Sequence, residues 1–128
     1  MMATLVLTLL ANALDYAVQT HSVNDVLGMI ERGEAQLWEA AHSVIVTQVH
    51  VTPRKKSLNL FLAAGRMNEL KDLWPKVRAW AREMGCESAY LVGRAGWARS
   101  WLTKDDGWRI TNLVLETNLS GGEKLDMT

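Results

Sequence analysis

Apolar residues recur along this chain with two different periods, and the switches between them divide it into elements. Residues 3–18 carry Leu5, Leu9, Ala13 and Tyr16 on one side, with Val6, Leu10, Leu14 and Ala17 beside them. That is the wide apolar face of a buried helix. Ser22 followed by Asp25 is a capping-box start, and Val23, Val26, Leu27 and Ile30 mark the inner face of a second helix that Gly33 ends.

The period then drops to two. Gln36–Ala40 and Ser43–Val51 are close enough to pair as a hairpin; the second alternates Val44, Val46 and Gln48 against Ile45, Thr47 and Val49. After a basic turn, Pro53-Arg54-Lys55-Lys56, a third strand is expected over Ser57–Ala63, with Leu58, Leu60 and Leu62 facing one way and Asn59 and Phe61 the other. Residues 67–84 return to helical spacing: Leu70, Leu73, Trp74, Val77, Trp80, Ala81 and Met84 share one face, with Pro75 inside the pattern. A strand is predicted over 87–92, a short helix over 94–102 and a last strand over 108–117. Residues 118–128 are polar and contain Gly121-Gly122, the composition of a tail on a single domain spanning 1–117. The predicted class is α/β (α+β). The strand–helix–strand unit in its middle is expected to be parallel and right-handed, with ligand space at the carboxyl edge.

Composition narrows the function classes. Lys+Arg and Asp+Glu balance at 14 each, so no global pull toward nucleic acid is expected, and Arg54-Lys55-Lys56 reads as a solvated turn. A lone Cys86 excludes an intrachain disulfide and reads as a structural thiol. His21, His42 and His50 have no spacing that makes a metal site with the Cys, Asp or Glu residues. The apolar start has no basic flank and is shorter than the ~20 residues of a membrane span, so no membrane role and a cytoplasmic location are expected.

The densest chemistry lies after the fourth predicted strand, in Gly93-Arg94-Ala95-Gly96-Trp97-Ala98-Arg99-Ser100-Trp101, followed by Asp106-Gly107-Trp108-Arg109. A strand that breaks at glycine and turns into a helix exposes backbone N–H groups where anions dock. Arg94 and Arg99 with Trp97 and Trp101 form a candidate anion- or partner-binding group. The same arginines have a structural reading, as partners of local acids or stacked on Trp97 and Trp101. Glu39, Glu87 and Glu116 are the strand and strand-end carboxylates available as a general base.

This order of elements resembles the GNAT (acyl-CoA-dependent N-acyltransferase) superfamily, and within it the small GNAT-like proteins of bacteriophages and prophages. The resemblance rests on Gly33–Trp38, Val46–Val49, Leu58–Gly65, Trp80–Cys86 and Gly93–Arg99, over about residues 20 to 110. It implies a mixed central sheet with helices on both faces, here with the first strand missing or very short. It also implies an acyl-CoA site at Ala63, Gly65 and Arg66. Two departures weigh against catalysis. The pyrophosphate loop, Gln/Arg-x-x-Gly-x-Gly/Ala in enzymes, reads Ala64-Gly65-Arg66-Met67-Asn68-Glu69 here, and Trp101 stands nearest the place of the tyrosine general acid.

The function expected from this resemblance is non-catalytic. The chain is expected to work through contacts with other protein subunits, phage virion proteins or itself, in the host cytoplasm or incorporated in the virion, with no cofactor. The alternatives are an active acetyl-CoA-dependent N-acetyltransferase and, behind it, a phage inhibitor or regulator of a host protein.

Overall fold

The structure, a computed structural model, describes residues 4–16, 20–93 and 95–120. Its elements are α1 (Thr4–Tyr16), α2 (Val23–Glu31), β1 (Gln36–Glu39), β2 (Val44–Val51), β3 (Lys56–Ala64), α3 (Met67–Glu83), β4 (Ser88–Tyr90), a 3-10 turn (Ala95–Arg99) and α4 (Trp101–Asp105). The four strands form one sheet in the order β1-β2-β3-β4, antiparallel except for the parallel β3–β4 pair.

Each face of the sheet is buried by its own helices. Val6, Leu10 and Leu14 of α1 and Val26 of α2 pack with Val44, Val46 and Leu62 on one face. Leu70, Leu73, Trp74, Val77 and Ala81 of α3 pack with Ile45, Leu58 and Leu60 on the other. Most of each face is where periodicity puts it, but Leu5 of α1 and Met84 after α3 are exposed rather than packed, and the side chains of Tyr16 and Ala17 lie outside the described residues. Ser22 opens α2 as a capping box: its hydroxyl accepts from the Asp25 N–H at 3.1 Å, while the Asp25 carboxylate accepts from the Ser22 N–H at 2.8 Å. The buried Thr47 hydroxyl accepts from the Trp38 indole at 3.0 Å and donates to Gln36 at 2.9 Å, so its burial leaves no polar group unmet.

Strict alternation on β3 is broken. Val46 pairs with Leu62, but the next β2 residue, Thr47, pairs with Leu60, so Phe61 is an extra residue on β3. This bulge flips the strand. Leu58 and Leu60 face α3, whereas Phe61 and Leu62 both face α1 and α2. The expectation that Leu58, Leu60 and Leu62 share one face is thereby corrected.

The carboxyl-terminal third also departs from the periodicity. The fourth strand is three residues, Ser88–Tyr90, rather than 87–92. The single short helix expected over 94–102 is a 3-10 turn followed, after Ser100, by α4. The strand expected over 108–117 does not form; the chain from Gly107 to Asn118 has no regular structure. Its β-branched residues pair with no strand, and Trp108 at its start is held against α3. The Asp106 carboxylate accepts from both the Trp74 and Trp108 indoles, at 2.7 and 2.8 Å, and the two rings meet edge-to-face at 5.5 Å.

Leu58 is fully buried where β3 meets α3. Leu58→Ala should therefore destabilise the fold by about 2–5 kcal/mol, read as a lower urea midpoint with an unchanged slope.

Candidate functional site

The site follows from how β3 and β4 separate. Their parallel pairing runs from Ser57–Ser88 to Asn59–Tyr90 and stops, although β3 continues to Ala64. A bulge bends its strand and increases the local twist, and Phe61 lies two residues past the last β3–β4 pair. Beyond that point the strands splay. A cavity of about 350 Å³ opens between Leu60–Gly65 on one side and Leu91–Gly93 on the other. Leu9, Asn12 and Ala13 of α1 wall one end, and Met67 and Leu70 of α3, with Trp97, wall the other. Along this stretch no described residue pairs with β3 on the β4 side. The lining side chains are apolar apart from Asn12, and none of the described ones is an acid or a base.

At the mouth of the cleft, Gly65 is held against the β1–β2 turn. Its backbone has φ +124°, and an added Cβ would lie 2.3 Å from the Ser43 hydroxyl and 2.4 Å from the His42 carbonyl oxygen. Only glycine fits there. Ser43 is fully buried and joins three elements: its hydroxyl accepts from the Arg66 N–H at 2.8 Å and donates to the Glu69 carboxylate at 2.7 Å. Glu69 also accepts from the His42 backbone N–H at 2.8 Å and lies 3.3 Å from the His42 ring. The Ser43 hydroxyl, followed by the His42 backbone and ring, holds the Glu69 carboxyl below its ordinary value of 4.5. The amino terminus of α3 thus carries an internal carboxylate, and the Arg66 N–H is already spent on Ser43. An incoming pyrophosphate would have to compete with both.

The residues singled out from sequence are divided by this geometry. Ala63 and Gly65 line the cleft, whereas Arg66 is exposed beyond its rim and offers its side chain to solvent. Trp97 lines the cleft and packs so close to Gly93 that a Cβ there would stand 2.8 Å from the ring. Trp101 lies over the start of α3, with its indole 3.2 Å from the Met67 sulfur. Arg99 is exposed, with no ion pair among the described residues. Arg94 lies outside the described residues. The structure therefore brings Ala63, Gly65 and Trp97 to one cleft, sets Trp101 against Met67 at its wall, and leaves Arg66 and Arg99 facing solvent.

Four contributors have no role legible in the sequence. Asn12 and its neighbours on α1 reach the cleft only through tertiary packing. Ser43 and Glu69, 26 residues apart, give no joint signal beyond an acidic residue in a helix's first turn. Asp106, which secures Trp108, stands out only once both indoles are seen to converge on it.

No family model matches the chain, and no curated protein sequence matches it. Two solved structures share its architecture. One is the crystal structure of a probable acetyltransferase, with TM-score 0.64 and 16% identity over 91% of this chain and 96% of that one. The other is TTHA1254 from Thermus thermophilus, with TM-score 0.55 and 19% identity over 78% and 81% of the two chains. The chain has a GNAT-like fold, a four-stranded mixed sheet with helices on both faces and a splayed parallel pair.

Two variants test the junction. Gly65→Ala should cost about 1–3 kcal/mol, because the methyl group meets a buried turn that has little room to yield, and calorimetric unfolding reads the loss. Glu69 has a folded value below its unfolded one, so its stabilising share is present above the unfolded value and is lost as pH falls through the folded one. Urea midpoints of the parent should fall on acidification below about 4.5, the ordinary value. Those of Glu69→Gln should start lower and fall less steeply.

Proposed function

We propose that this protein uses a GNAT-like fold to bind other protein chains, without acyl transfer. The bacteriophage resemblance supplies the setting of that proposal, virion structure or assembly. One observation carries the reading. Ile110, Leu113, Val114, Leu115 and Leu119 are between 65% and 91% exposed along one segment without regular structure. Single exposed apolar residues are ordinary, but a run of this density beside a folded core marks a contact surface. The cleft agrees with the reading: its described lining holds no acid or base, and the Arg66 N–H is engaged by Ser43. Trp101, near the place of the tyrosine general acid, has an indole N–H that gives up no proton at working pH.

A second reading, an acetyl-CoA-dependent N-acetyltransferase, is favoured by the cleft itself. Unpaired β3 backbone between splayed strands suits an extended thioester arm. Asn59 and Tyr90, the last residues paired across these strands, mark where such an arm would stop.

Titration calorimetry with acetyl-CoA separates the two. The expected result is no heat of binding up to millimolar ligand, for the parent and Arg66→Ala alike. Micromolar binding that Arg66→Ala abolishes, together with acetyl transfer to an amine, would overturn the first reading in favour of the second.

A further inference from the structure

The wall of the cleft holds a nucleophilic side chain, the thioether of Met67. Met67 opens α3, lines the cleft and is 46% exposed. Its sulfur accepts the Trp101 indole N–H at 3.2 Å. Among the described residues no other methionine sulfur accepts a hydrogen bond. Met84 is comparably exposed, at 41%, whereas Met29 is partly buried beside the core that α1 and α2 make with the sheet.

A thioether sulfur carries two lone pairs, and adding oxygen to one or the other gives sulfoxides of opposite handedness. The two pairs of Met67 are not equivalent. One meets the Trp101 N–H, which α4 holds in place through the Ser100 cap and the buried Leu102. An oxygen added on that side would stand well inside the ordinary N–H···O separation of about 2.9 Å, so the indole would have to be displaced. The other pair has no hydrogen-bond partner among the described residues.

We propose that Met67 is a peroxide-modification site at which Trp101 directs the oxygen to one face of the sulfur. The unoccupied lone pair attacks one oxygen of hydrogen peroxide; the O–O bond breaks as an S–O bond forms. The sulfur is oxidised and the peroxide reduced. The proton on the transferred oxygen passes to the departing hydroxide, which leaves as water. The product is predominantly one epimer of the sulfoxide. It sets a polar acceptor on a lining whose described side chains are apolar except Asn12, so oxidation changes what the cleft can hold. Trp101 acts as a positioning residue. The site is independent of whether the cleft takes acyl-CoA or the protein binds other chains.

Treatment of the full chain with hydrogen peroxide tests it. The oxidised protein is digested, and its peptides are divided between two methionine sulfoxide reductases of opposite epimer specificity. At Met67 one reductase should remove the added oxygen from about five times as much peptide as the other, because attack on the bonded side must first break a hydrogen bond. At Met84, which has no such bond among the described residues, the two should remove comparable shares. Trp101→Phe keeps a ring and removes the N–H; with unchanged far-ultraviolet circular dichroism, it should make Met67 behave as Met84 does. Comparable shares at Met67 in the parent overturn the inference, and so does a Met67 that stays reduced while Met84 is oxidised. A bias of the same size at Met84, or a bias at Met67 that survives Trp101→Phe, overturns it as well.

Discussion

The extra residue on β3, Phe61, is the constraint from which the rest of this structure follows. Before it, β3 gives Leu58 and Leu60 to α3; after it, the strand gives Phe61 and Leu62 to α1 and α2. The same step bends β3 away from β4 directly after Asn59 and Tyr90, so one inserted residue both divides the core and opens the cleft. A regular β3 would align all three leucines on α3 and leave α1 without its central contact on the sheet. The α1 residues that wall the cleft owe their place to this flip, because α1 packs where Leu62 faces it.

A second constraint holds the mouth of that cleft. Ser43 in the β1–β2 turn, Arg66 before α3 and Glu69 in its first turn form a closed set of hydrogen bonds around Gly65. These groups serve the joint between sheet and helix. A helix start in this fold can present its free N–H groups to an anion or turn them inward; here the Arg66 N–H is turned inward. That choice stabilises the junction between sheet and helix.

Legibility in the sequence followed the range of the interactions. The α2 capping box, the apolar face of α3 and the β1–β2 hairpin are set by neighbours within a few residues, and periodicity finds them. The bulge is not legible, since Leu58-Asn59-Leu60-Phe61-Leu62 reads as clean alternation and only pairing with Val46 and Thr47 exposes the extra residue. The segment after Trp108 fails for the opposite reason. Ile110 to Thr117 has strand composition, yet a strand exists only with a partner, and the indole bond to Asp106 holds its start against α3. Around the cleft, the strand-to-helix junctions at Ala63–Gly65 and before Trp97 are legible in the sequence. That the Arg66 backbone N–H is engaged by Ser43 is not legible, because its partner lies 23 residues away.

The shared carboxylate at Asp106 also has a spectroscopic consequence. Two of the six tryptophans donate to one acceptor and stand 5.5 Å apart, edge to face, one on α3 and one where the chain leaves α4. Their near-ultraviolet signal therefore arises from the joint between the long helix and the carboxyl-terminal segment, and it requires both indoles to be in place. The molecule carries this optical label where α4 gives way to the exposed segment after Trp108.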